Sequence, residues 1–154
     1  MRAVRGLILY SQAERDLARA LYDIPDERLH LLGGGVDTHV TPNSLAFRVK
    51  RKLLEPYILY VGRRDETKNT PLLVEYFARF KVAHPGDLKL VLIGSGPLPD
   101  AWRARPDILD LGVVAEQEKI DALGGALCLC NPSLHESFSL VMMESWVAGR
   151  PALV

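Results

Sequence analysis

From Tyr57 onward the chain alternates short apolar runs with stretches in which apolar residues recur every three or four positions. Residues 57–61 (YILYV), 88–93 (LKLVLI), 108–114 and 126–130 read as buried strands. Between them, Leu72, Leu73, Tyr76, Phe77 and Phe80 give one apolar helical face, opened by Thr70 as cap and Pro71 in the first turn. Shorter helices are predicted over residues 98–104 and 116–123, the latter ended by Gly124. A further helix is predicted over residues 138–148, closed by Gly149 and Pro151, with one more strand beginning at 151–154. Upstream, residues 6–10 and 28–32 read as strands. The helix between them starts at a Ser11/Glu14 capping pattern, carries Leu17 and Leu21, and ends before Pro25. Residues 36–56 are weakly patterned, contain Pro42, Asn43 and the basic run Arg48, Lys50, Arg51, Lys52, and read as a solvated linker.

Strand–helix alternation with nearly continuous apolar strands predicts an α/β fold, a doubly wound, Rossmann-like parallel sheet covered on both faces. Ligands of such sheets bind beyond the carboxyl ends of the strands. That ranks four segments: residues 62–68, 94–97, 114–116 and 131–138.

Composition narrows the classes. The 154 residues carry 19 basic and 19 acidic side chains, so bulk charge offers nothing to nucleic acid or an anionic membrane. No apolar run is long enough to span a bilayer, and no secretory leader is legible. Cys128 and Cys130 fall on one strand face and read as buried thiols of a reducing cytoplasm; with His135 alone nearby, no metal site is expected.

Three of the ranked segments carry candidate chemistry. In the loop after residues 57–61, Arg63 and Lys68 can face a phosphate, although Asp65 and Glu66 between them fit a solvated charged loop equally well. No Walker loop is present. Gly94-Ser95-Gly96 begins a dinucleotide fingerprint, but Pro99 stands where the third glycine belongs, so a tight turn is the stronger reading and a nicotinamide-dependent oxidoreductase is disfavoured. Glu136 lies after a buried strand, and Glu144 lies eight residues on, within an apolar helix. The first amides of that helix form an anion site, and carboxylates beside it suit ribose and sugar hydroxyls.

The spacing of Glu136 and Glu144 resembles the E-x7-E motif of retaining glycosyltransferases built from two Rossmann-like domains (GT-B). The nearest resemblance is to family 4, which includes sucrose synthases and bacterial mannosyl- and glucosyltransferases. Ser11-Gln12-Ala13-Glu14, Gly35-Val36-Asp37, Tyr60-Val61-Gly62-Arg63 with Lys68-Asn69, Gly94-Ser95-Gly96, Gly112-Val113-Val114 and Ala148-Gly149-Arg150-Pro151 follow in family order. The resemblance implies transfer of a sugar from a UDP- or GDP-sugar to a sugar, lipid or other acceptor, with no metal or other cofactor. It implies that Arg63 and Lys68 neutralise the diphosphate, and that Glu136 accepts from the donor sugar. The amides of Phe138, Ser139 and Leu140 would hold phosphate, and Glu144 the ribose. Gly62, Gly94, Val114 and Glu116 would line the nucleotide. Gly34 departs from the family's usual Asn, and Ser137 and Ser139 replace glycines.

On the same resemblance, residues 1–35 are the end of the acceptor-side domain, 36–56 a linker, and 57–154 a donor-binding domain cut short at its end. The family's glycine-rich loop and active-site histidine would lie upstream; His30, His39, His84 and His135 do not take that place. A chain with one wall of the cleft is expected to bind a nucleotide at most, and to be inactive alone. The full-length enzyme is expected in the cytoplasm, with room for peripheral membrane contact.

Overall fold

A computed structural model describes residues 5–134, 136 and 138–154. The chain divides into two units, Met1–Val36 with Glu136–Leu140, and Asp37–His135 with Val141–Val154.

In the first unit, β1 (Leu7–Leu9) leads into α1 (Gln12–Leu21). Ser11 caps this helix by accepting from the Glu14 amide at 3.2 Å. The Glu14 carboxylate returns to the Tyr10 amide at 2.7 Å, one residue before the cap. A 3-10 turn at Asp26–Arg28 follows Pro25 and delivers β2 (Leu29–Leu31), parallel to β1 with Leu7 opposite Leu29.

The second unit opens with a departure from the expected linker. Its basic run lies on a helix, α2 (Ser44–Arg51), capped by the Asn43 side chain at the Ala46 amide and ended by Lys52 in the left-handed conformation. Phe47, 1% exposed, anchors this helix in the core. Three of the four basic side chains of the run, Arg48, Lys50 and Arg51, have partners within the fold, and Lys52 is exposed. Arg48 donates to the carbonyls of Leu53, Leu54, Glu55 and Gly125, while Lys50 and Arg51 both reach Glu118. The missed signal was Asn43 immediately before a helix-compatible run. Exposed Leu45 and Val49 blurred the apolar periodicity.

Then follow β3 (Tyr57–Val61), α3 (Thr70–Ala83), β4 (Lys89–Ile93), α4 (Asp100–Arg103), β5 (Ile108–Gly112), α5 (Glu116–Gly125), β6 (Leu129–Cys130), α6 (Leu140–Val147) and β7 (Ala152–Leu153). The strands form one parallel sheet in the order β5-β4-β3-β6-β7. The chain winds outward from β3 through β4 to β5, then crosses to β6 on the other side, so the switch point lies between β3 and β6.

Strand alternation divides the core. Tyr57, Leu59, Val91, Ile93 and Leu129 face a cluster completed by Phe47 of α2, Ala122 and Leu123 of α5, and Val141 and Met142 of α6. Tyr60, Leu90, Leu92 and Cys130 face Leu73, Val74 and Phe77 of α3 with Leu98. Cys128 packs against this second cluster, so the two free thiols share a face as expected.

Three local expectations shift. Asn69, not Thr70, is the cap of α3; it takes φ 52°, and Thr70 becomes the first helical residue with a side chain 1% exposed. The broad apolar face of α3 is only partly covered. Tyr76 and Phe80 stay half-exposed and line, with Leu134 and Leu153, an open groove of about 500 Å³. Helix α6 begins at Leu140 rather than Phe138, because Phe138 is drawn into the first unit, where it stacks on Tyr10 at 6.1 Å.

Candidate functional site

The loop leaving β3 turns at Gly62 and runs beside the loop leaving β4. Gly62 donates to Ile93 O at 2.9 Å and the Arg64 amide to Ser95 O at 2.7 Å. The two loops touch backbone to backbone. A side chain on Gly94, at φ +128°, would stand 1.9 Å from Gly62 O; one on Gly96, at φ +114°, would stand 2.5 Å from Arg64 O. The G-x-G therefore makes a close turn against its neighbour, the stronger of the two readings offered by the sequence.

Arg63 and Arg64 are adjacent in sequence and opposite in placement. Arg64 is buried, with a side chain 6% exposed; it pairs with Asp110 at 2.9 Å and donates to Gly96 O, locking the two loops to β5. Sequence reasoning passed over Arg64, and nothing in the sequence distinguishes it from Arg63. The Arg63 side chain is 70% exposed, with Asp65 at 3.6 Å. Asp65 works locally, accepting from Thr67 Oγ1 at 2.5 Å and from the Lys68 amide at 3.0 Å. The Thr67 hydroxyl, then the Lys68 amide, holds its carboxyl below the usual carboxylate range against the opposing effect of burial. Lys68 ends the 3-10 turn Glu66–Lys68 so formed, half-buried.

The loop leaving β6 starts across the switch point. Asn131 is 8% exposed, and the Ser133 hydroxyl approaches Thr67 O at 3.4 Å. His135 and Ser137 lie outside the described residues. Glu136, Phe138, Ser139 and Leu140 group with the first unit. There Glu136 is exposed, and Gly34 lies so close to Phe138 that a side chain at residue 34 would meet the ring at 2.0 Å.

On the other sheet face α5 and α6 bring two of the candidate carboxylates together. Lys119 lies 2.8 Å from Glu116 and 2.8 Å from Glu144, and both carboxylates border a small cavity of about 90 Å³ with Asp37. Burial opposes the Lys119 charge, but the hydrogen bonds it donates to Glu116 and Glu144, with the charge of both carboxylates, outweigh it and raise its pKa above the ordinary lysine value. Val114 is half-buried against the core just before α5. Lys119 is the second functional candidate that the sequence reading missed; its i,i+3 spacing from Glu116 was the available signal. Among the described residues, no His, Cys, Asp and Glu side chains group as metal ligands, and no helix is long and apolar enough to cross a membrane.

A doubly wound parallel sheet with such a switch point is shared by many nucleotide-binding proteins, and the geometry alone stops there. The family profile described as glycosyl transferases group 1 matches residues 55–154. The chain belongs to the group 1 glycosyl transferases. As a member of that family it is 29% identical over 153 residues to a D-inositol 3-phosphate glycosyltransferase of Acidothermus cellulolyticus, covering 86% of this chain and 34% of the relative. It is 37% identical over 103 residues to the N-acetylgalactosamine-N,N'-diacetylbacillosaminyl-diphospho-undecaprenol 4-alpha-N-acetylgalactosaminyltransferase of Campylobacter jejuni, covering 60% and 26%. The chain thus spans about a third of the length of the curated relatives it matches. Its fold is that of GT-B glycosyltransferases. WaaG, a glycosyltransferase involved in lipopolysaccharide biosynthesis, superimposes with a TM-score of 0.79 at 19% identity, over 96% of this chain and 43% of WaaG. HepE of Anabaena in complex with UDP-glucose gives 0.78 at 16% identity, over 98% and 44%.

Within this group 1 glycosyl transferase, the sequence-derived candidates fall into three sets. Gly62, Arg63, Lys68 and Gly94 occupy the interlocked loops after β3 and β4. Glu116 and Glu144 share Lys119, with Val114 just before α5 beside them in sequence. Glu136, Phe138, Ser139 and Leu140 belong to the segment grouped with the first unit.

Proposed function

We propose that this chain forms the donor-side part of a retaining glycosyltransferase and binds a nucleoside diphosphate sugar. The observation that carries the reading is the switch point between β3 and β6. The Arg63–Lys68 loop leaves the carboxyl end of β3, and Glu144 sits on the helix that follows β6. Ligands of doubly wound sheets bind at that place. Transfer builds negative charge on the departing diphosphate, and fixed cations there lower the barrier. Arg63 and Lys68 have that role. Glu144 accepts from the ribose and Glu136 from the donor sugar, while the amides of Phe138, Ser139 and Leu140 donate to phosphate oxygens. Gly62, Gly94, Val114 and Glu116 line the nucleotide. No metal is required where side-chain cations neutralise the diphosphate.

The UDP-glucose bound by HepE supports a UDP-sugar as first donor to try, with a GDP-sugar second. The names of the curated relatives support a hydroxyl of a sugar phosphate or lipid-linked saccharide as acceptor. Residues 1–35 then belong to the acceptor side, 57–154 hold the donor, and 36–56 connect them, with α2 packed against the donor side. Calorimetry of the chain with UDP-glucose, GDP-mannose and NAD tests the reading. One of the nucleoside diphosphate sugars is expected to bind at least about tenfold tighter than NAD. Equal affinity for all three, or binding of NAD alone, overturns it.

A further inference from the structure

Lys119 joins two carboxylates in different ways. Glu116 is three residues away on the same helix and its side chain is 71% exposed, so that contact is a screened surface pair. Glu144 is on a different helix. There the lysine and glutamate side chains are 16% and 24% exposed, and the bond at 2.8 Å ties α5 to α6. Lys119 engages Glu144 at Oε2. Each carboxylate oxygen offers two lone-pair sites, so the group keeps acceptor capacity beside the bond.

We infer that Lys119 is a positioning residue, which through its ammonium fixes the Glu144 side chain in one rotamer so that it can receive the hydroxyls of a bound ribose. The inference rests on the reading of Glu144 as the ribose acceptor. A glutamate side chain has rotatable bonds that a ligand must otherwise freeze, and freezing them beforehand raises affinity. The surroundings set what is accepted. Asp37, Glu116 and Glu144 border one small cavity, and Lys119 pairs with the last two, so the lining of this cavity is rich in carboxylates. Such a pocket repels anions and favours hydroxyl donors, which matches a ribose edge and not a phosphate.

The test measures binding of UDP and of 2′-deoxy-UDP by calorimetry to the wild type and to Lys119→Met, Lys119→Arg and Glu144→Gln. Lys119→Met is expected to weaken UDP about tenfold, to weaken 2′-deoxy-UDP, which keeps one of the two hydroxyls, by less, and so to narrow the preference between them. Lys119→Arg, which keeps the charge, is expected to restore most of that preference, and adding Lys119→Met to Glu144→Gln is expected to cost little more. If Lys119→Met keeps the wild-type preference while Glu144→Gln loses it, the positioning role is overturned and the ribose reading stands. If Glu144→Gln keeps the preference, the ribose reading falls and the inference with it. A fall of UDP and 2′-deoxy-UDP affinity by the same factor also overturns it, since that marks a merely structural tie.

Discussion

On α2, Arg48, Lys50 and Arg51 all point at acceptors of their own fold, whereas Arg63 in the loop after β3 keeps a side chain 70% exposed with one carboxylate at 3.6 Å. Both regions are basic runs in the sequence. In the first, the guanidinium and ammonium groups replace missing partners for carbonyls at chain turns and for the carboxylate of Glu118. In the second, the buried partner role falls to Arg64, which frees Arg63 from structural duty. A cluster of positive charge is thus a candidate ligand site only after the fold's own acceptors are accounted for.

The comparison breaks first at Arg48. Its Nη1 and Nη2 atoms serve four carbonyls, and its guanidinium lies 5.1 Å from the centre of the Tyr57 ring. Arg48→Ala strands those acceptors and is expected to cost about 2–4 kcal/mol in a denaturant titration. Arg48→Lys should recover only part, because an ammonium cannot reproduce the planar fork.

Glu118 comes next. Its bond from Lys50 is the main influence holding its pKa below the ordinary 4.5, burial works against that, and Arg51 adds to the lowering. A carboxyl with a depressed folded pKa stabilises fully above its unfolded pKa, and the contribution fades as pH falls through the lower folded value. The melting temperature of the wild type is therefore expected to drop below about pH 4.5. Glu118→Gln should lose about 1–2 kcal/mol at neutral pH and show a shallower acid limb. Acid limbs of equal slope would remove Glu118 from the account.

The smallest effect on stability is expected at Arg63. Arg63→Ala should leave stability within about 0.5 kcal/mol, while nucleoside diphosphate binding weakens at least about tenfold. A loss of stability without a loss of binding would place Arg63 with the α2 basics and erase the distinction.

The strands were legible because both sheet faces are buried. The apolar run at Tyr57–Val61 is the strand, end to end. What sequence could not give was decided by distant contacts. Phe138 reads as helical by its neighbours, yet its stacking on Tyr10 keeps it outside α6. Thr70 reads as a cap, but Asn69 takes the left-handed conformation and turns Thr70 inward. In the candidate site, Glu136 and Glu144 were visible through their spacing, and Gly94 through its motif. The pairing of Lys119 with Glu144 joins two helices, and no local pattern announces it. Arg64 was hidden by having the same identity as its neighbour.

The close turn at Gly94 and Gly96 also sets how this loop can vary. Both positions are closed to any side chain by the backbone of the neighbouring loop, whereas Ser95 and Pro97 are exposed. Directed evolution aimed at what this loop presents to a ligand would find its freedom at Ser95 and Pro97. A library randomising the flanking glycines would return mostly unfolded clones.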